Sequence, residues 1–239
     1  MIDSLRVLLE HLIDYAGLFP PASLTMQDAV RNYARYRDGK YAWALGRFVV
    51  PKERAHEVPP EFPLSVLGVD EVKAEELESA APGAFVEITD TSLLPELKKR
   101  GLRAKIRTGG LTADAFPTPE TIAAFLRACK AEGVAFKATA GLHHPLRCVK
   151  ALTYEPDGPV GTMHGFINVF LAAAVVDRAE EILRETDARS FFFGDDGASW
   201  RGHHIGIDEL ATVRRTFALS FGSCSFEEPI ADLKELEWL

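Results

Sequence analysis

Three short runs of alternating residues carry the side chains best suited to chemistry. They are Ala84-Phe85-Val86-Glu87-Ile88-Thr89, Leu102-Arg103-Ala104-Lys105-Ile106-Arg107 and Val134-Ala135-Phe136-Lys137-Ala138-Thr139. Side chains alternate across a strand, so an apolar set that faces covering helices leaves Glu87, Lys105, Arg107 and Lys137 on the opposite, interior side. Buried charge is costly, so these groups must pair with one another, bind a ligand or shift their pKa. Glu87 can pair with Lys105 or Arg107, which leaves Lys137 facing no obvious carboxylate. The expectation is a locally positive pocket that takes a small anion, a carboxylate or a phosphate. An amine there, desolvated and beside other cations, drops from about 10.4 toward neutrality and can attack a carbonyl. Lys137 is the candidate nucleophile, with Lys105 as the neighbouring cation and Glu87 or Tyr15 to move protons.

A second group of polar residues falls in loops. His143 and His144 follow the Lys137 run, His164 opens the next helix, and His203-His204 and Asp195-Asp196 lie further on. A metal site would need convergent ligands with an open position, but no HExxH, HxH or CxxC spacing occurs, so no metal is assigned. No cofactor is expected either. Substrate contacts are expected from Arg107, Thr139, Tyr15 and His143. Two further contacts, His164 and Asn168, share a helix face at i and i+4. Gly222 and Ser223, after the last strand-like run, offer backbone N–H and hydroxyl donors for an anion. The long segment from Gly141 to Gly165 reads as a lid or a partner-contact loop.

These residues need a scaffold that brings strand ends together. The chain of 239 residues is 47% hydrophobic and 26% charged, which suits a folded globular protein. Its 27 basic and 35 acidic residues leave a net charge of −8, which disfavours nucleic acid and anionic membranes as partners. Three separated cysteines, Cys129, Cys148 and Cys224, suit reduced thiols. The opening MIDSLRVLLEHL is acidic where a secretory leader is basic. The most apolar stretch, Phe166 to Val176, is about 11 residues and too short to span a bilayer. A cytoplasmic location is expected, and homo-oligomerisation stays open.

β-type runs at Tyr15–Phe19, Trp43–Val50, Pro63–Gly68, Ala84–Thr89, Leu102–Arg107, Val134–Thr139, Ser190–Gly194 and Phe217–Phe221 alternate with helical stretches. The helices include Asp3–Ile13, one from a Thr25 cap to Arg37, Glu71–Ala80, Thr91–Lys99, Pro119–Glu132, His164–Arg184 and Ile207–Arg215. Eight strands with helical connections predict an α/β fold, a (β/α)₈ TIM barrel with an extra N-terminal helix, over 1–239 as one domain. An open doubly wound parallel sheet is the alternative.

The segment Phe136-Lys137-Ala138-Thr139-Ala140-Gly141 resembles the strand-six motif of the deoxyribose-phosphate aldolases, Lys-x-Thr-x-Gly. The resemblance implies a class I aldolase in which Lys137, on the sixth predicted strand, forms a Schiff base. That family's second lysine, in a Lys-x-Ser-Gly-Gly motif on strand seven, has no equivalent in Phe191-Phe192-Phe193-Gly194-Asp195. More widely, Asp14 to Pro21, Lys105 to Gly110 and Phe136 to Pro145 look like a bacterial family of uncharacterised proteins, which implies no activity. The expected function is a Schiff-base lyase acting on an anionic carbonyl compound through Lys137. The alternatives are a metal-dependent hydrolase or isomerase using the loop His and Asp residues, and a non-catalytic binding protein on a barrel scaffold.

Overall fold

Leucines at helical spacing open the described chain, residues 3–239 of the computed structural model. Leu5, Leu8 and Leu9 on helix α1 (Asp3–Leu9) are fully buried. Then come β1 (Ile13–Tyr15), α2 (Met26–Arg37), β2 (Leu45–Pro51), β3 (Leu64–Leu67), β4 (Glu71–Lys73) and β5 (Phe85–Glu87). Next are α3 (Leu94–Lys99), β6 (Arg103–Arg107), α4 (Pro119–Glu132) and β7 (Phe136–Thr139). After them lie β8 (Cys148–Ala151), β9 (Val160–Met163), α5 (Phe166–Ala174) and α6 (Ala179–Arg184). The chain ends with β10 (Phe191–Phe193), β11 (Gly197–Trp200), β12 (His203–Gly206), α7 (Ile207–Thr216), β13 (Ala218–Ser223) and α8 (Glu227–Glu235). Thr25 caps α2 as expected, its Oγ1 accepting the Asp28 N–H at 3.2 Å.

Strands β1 to β7 and β13 form a closed parallel barrel. Closure is made by β13, which pairs with β7 on one side and β1 on the other, so the open doubly wound sheet is excluded. The fold is an α/β barrel of the TIM type, with α1 before the first strand.

The membership of the barrel differs from the sequence expectation at two places. Glu71–Ala80 is rich in helix formers, yet Glu71–Lys73 is strand β4 and Ala74–Ser79 a 3₁₀ turn. The chain passes from β3 to β4 through a tight turn at Gly68, φ 84°, whose N–H donates to the Glu71 carbonyl at 2.7 Å. It therefore moves to the next barrel position without a helix. Conversely, Phe191–Phe193 leaves the barrel and heads an antiparallel sheet, β10-β11-β12, outside it. Lys137 thus sits on the seventh barrel strand, not the sixth. β1 also starts earlier than expected, at Ile13, and ends at Tyr15.

The predicted helix His164–Arg184 is split into α5 and α6 by a 3₁₀ turn at Val176–Arg178, and His164 precedes it. Within the Gly141–Gly165 segment lies a two-stranded antiparallel arm, β8-β9. No described helix is long and apolar enough to cross a membrane.

Candidate active site

Parallel pairing places Glu87 beside Lys105 and Lys105 beside Lys137, across β5, β6 and β7. On the other side of Lys137, β13 offers Ser220. The alternation that predicted these side chains as interior is what the barrel uses. β1 and β4 add two carboxylates that sequence reasoning missed. Asp14 lies between Ile13 and Tyr15 and points into the lumen, while Tyr15 is buried among Tyr33, Tyr36 and Phe48. Glu71 opens β4 and is almost fully buried.

The result is a continuous ion-pair layer across the barrel. Lys137 Nζ lies 2.8 Å from Asp14 Oδ2 and 2.5 Å from Glu71 Oε1. Lys105 Nζ lies 3.0 Å from Glu71 Oε2 and 3.0 Å from Glu87 Oε2. Arg107 Nε reaches Glu87 Oε1 at 3.3 Å. Serine hydroxyls complete the carboxylates: Ser65 donates to Glu71 at 2.6 Å and Ser220 to Asp14 at 2.8 Å. The Arg47 backbone N–H donates to Asp14 Oδ1 at 2.8 Å.

Three carboxylates meet three cations, so the expected positive interior does not form. Nor is Lys137 depressed toward neutrality. Burial, at 1% exposure, pulls its pKa down, but the charges of Asp14 and Glu71 outweigh burial and hold it above the ordinary lysine value. Burial pushes the Glu71 carboxyl up, and Lys137 and Lys105 reverse that and bring it to about 2. Glu87 is likewise lowered, with Lys105 and Arg107 overcoming its burial.

Above this layer, at the C-terminal ends of the strands, opens a cavity of about 380 Å³. Glu71, Lys105 and Lys137 form its charged floor, and Arg107, Thr139 and His143 add polar groups to its sides. Phe19, Leu67, Leu152 and Met163 make much of the remaining wall apolar, the last two coming from the β8-β9 arm and its turn. Such a volume suits a small organic ligand. Two loops meet closely at the rim: a Cβ on Gly141, whose φ is 72°, would lie 2.8 Å from Gly109 Cα. Thr108 ties them further, donating through Oγ1 to the Ala140 carbonyl at 2.6 Å.

Of the expected site residues, Lys137, Lys105, Arg107, Thr139, His143 and Gly222 border this cavity, and Glu87 touches it through its ion pairs. Four do not border it. Tyr15 faces the outer hydrophobic layer, and Ser223 is buried, accepting the Ser225 N–H at 3.4 Å. Asn168 is fully buried, accepting from the Arg147 N–H and donating to the Ile182 and Glu185 carbonyls. His164 contacts the Pro117 carbonyl and Arg147 and lines a separate surface cavity, and its burial lowers its pKa to about 4.

The loop histidines separate rather than converge. His143 pairs with Glu228 at 3.1 Å and His144 with Asp232 at 2.5 Å, while His203 and His204 lie on exposed β12. Among the described residues, no group of three or more His, Cys, Asp or Glu is placed to hold a metal ion. Cys224 borders the cavity, but burial raises its thiol pKa.

The arrangement can bind a small molecule over an amine that has a proton acceptor on either side. No protein-family model, curated protein or solved structure matches this chain, so its chemistry is argued from the site itself.

Proposed function

We propose that this protein is a lyase of the class I aldolase type, forming a Schiff base between Lys137 and a small carbonyl compound. The observation that carries the reading is the position of Lys137 Nζ, at the floor of an apolar-walled cavity between Asp14 and Glu71. The TIM-barrel fold is compatible with an enzyme whose site lies at the C-terminal strand ends. The likeness of Phe136–Gly141 to the aldolase lysine motif supports the same residue.

In the resting site the ammonium is the stable form. Attack requires Lys137 to pass a proton to Asp14 or Glu71 as the carbonyl carbon approaches Nζ; both are already at hydrogen-bond distance. The N–C bond then forms, and the proton returns to the carbonyl-derived oxygen. The new nitrogen then gives up a proton, relayed by the same carboxylate, to that hydroxyl, which leaves as water and gives the protonated imine. Cleavage of the bond between the carbons alpha and beta to the imine carbon sends its electron pair into this imine and leaves an enamine on Lys137. A carboxylate of the layer takes the proton of the β-hydroxyl as that carbon departs as a carbonyl. The enamine takes the proton back at its α carbon, and water hydrolyses the imine to free Lys137. Lys105 keeps Glu71 and Glu87 ionised and available. Arg107 uses only Nε on Glu87, leaving its terminal nitrogens for a carboxylate or phosphate on the substrate.

Incubation with glycolaldehyde, pyruvate and glyceraldehyde 3-phosphate in the presence of borohydride, followed by peptide mass mapping, tests the reading. The expected outcome is a reduced adduct on Lys137 that is absent from Lys137→Met. Modification of Lys105 alone, or of surface lysines only, would overturn it.

A further inference from the structure

The ion-pair layer has a second side. Below it, at the N-terminal mouth of the barrel, a cavity of about 500 Å³ reaches Asp14 and Ser220. Four separate elements bring basic groups to its walls: His11 from the turn before β1, Arg37 from the end of α2, Arg47 from β2 and Arg103 from the start of β6.

These arginines differ from those held in surface ion pairs. Arg35, Arg100 and Arg201 each hold a carboxylate within 3 Å. Among the described residues, Arg37, Arg47 and Arg103 form no such pair. Arg37 instead lies over the Phe62 ring at 5.0 Å, and Arg103 over the Phe85 ring at 5.3 Å. Arg47 donates to the Leu64 carbonyl at 3.3 Å. Stacking engages the face of a guanidinium and leaves the N–H donors at its edge open, so the rings orient these groups without satisfying them. Asp14 is the one carboxylate lining the cavity, and both its oxygens are already engaged, by the Arg47 N–H and by Lys137 with Ser220. In a chain of net charge −8, this is a concave site with three cations and no free counter-charge.

We propose that the N-terminal mouth binds a small multivalent oxyanion, carrying phosphate or clustered carboxylate groups, at a site separate from the C-terminal cavity. Planar guanidiniums with open edges match oxyanion geometry in pairs. The site's position, on the face opposite the strand ends used for chemistry, makes its ligand an effector or structural anion and not a substrate. It does not depend on Schiff-base chemistry at Lys137.

Isothermal titration of the full-length protein with inorganic pyrophosphate, and separately with citrate, tests this without any turnover. Saturable binding of one or both is expected. Affinity should fall roughly tenfold or more in Arg103→Gln and in Arg47→Gln, as for loss of a charged anion contact, and stay unchanged in Arg127→Gln, which removes an exposed arginine of α4 outside both cavities. Near-UV circular dichroism and thermal melts of each variant establish that it is folded before its affinity is compared. The proposal is overturned by no saturable binding to the wild type. It is equally overturned by affinity kept in Arg103→Gln and Arg47→Gln, or lowered alike in both and in Arg127→Gln.

Discussion

Glu71 is the pivot of the ion-pair layer, because each of its carboxylate oxygens holds a different lysine. Its carboxyl stands at about 2 in the folded protein, against about 4.3 for an unfolded glutamate. The folded value is the depressed one, so the stability it contributes is present above about pH 4.3 and is lost as pH falls toward 2. Across the whole titration, from above pH 4.3 to below pH 2, the loss is about 3 kcal/mol. Urea unfolding of the wild type should fall steeply between these pH values, and Glu71→Gln should lower stability at pH 7 while flattening the acid slope. An equal slope in both proteins would contradict the role given to Glu71. Glu87, Lys105 and Lys137 were legible because alternation in a well-bounded strand fixes which side chains face inward. Asp14 was not, because a strand read as starting at Tyr15 places it outside. Glu71 was hidden in a run whose composition favours helix, and pairing with β3 and β5 overrode that propensity.

At the scale of elements, Asn168 illustrates a polar residue whose work is architectural. From the first turns of α5 it bonds the Arg147 N–H at 2.9 Å and the carbonyls of Ile182 and Glu185 at 2.6 and 2.9 Å. It thereby fastens the segment leading into β8 and the end of α6 to one point. Asn168→Ala takes a partner from the Arg147 N–H and from the Ile182 and Glu185 carbonyls, of which the Ile182 carbonyl keeps the Glu185 N–H. Each group left unpaired costs about 1–3 kcal/mol, softened where water can enter. A loss of about 2–4 kcal/mol is expected in chemical denaturation with an unchanged m-value. If the folded variant lost borohydride trapping with its stability intact, Asn168 would belong to the site after all. The helical pattern of its neighbourhood was readable, but not the break at Val176–Arg178, since the whole stretch is apolar or helix-favouring. The Phe191–Phe193 run has the composition of a buried strand, and nothing local distinguishes a barrel strand from one pairing with Gly197–Trp200 outside.

On the scale of the whole molecule, the barrel is a cylinder with a charged diaphragm and a cavity on either side. The balanced layer carries no net charge of its own, so the −8 of the chain belongs to the rest of the molecule. The barrel was legible from the rhythm of strands and helices, since eight strands with an excess of parallel-type connections have few other closures. The count came out right although one expected strand lies outside and one unexpected strand lies within.

The step from β3 to β4 without a helix makes the barrel mechanically uneven. Where α3 packs on β6 and Phe125 of α4 on Phe136 of β7, residues 52–57 and 74–79 cover their quarter with 3₁₀ turns only. That quarter is expected to be the softest seam of the wall, since local opening concentrates where fewer apolar contacts resist it. Native-state hydrogen exchange should find the amides of β4 exchanging well before those of β7 and β13; equal protection would show the wall to be uniform. Because Glu71 rides on the seam, each opening loosens the shared carboxylate from both lysines at once. The flexing of one thin wall would then be the valve between the two cavities that the layer keeps apart.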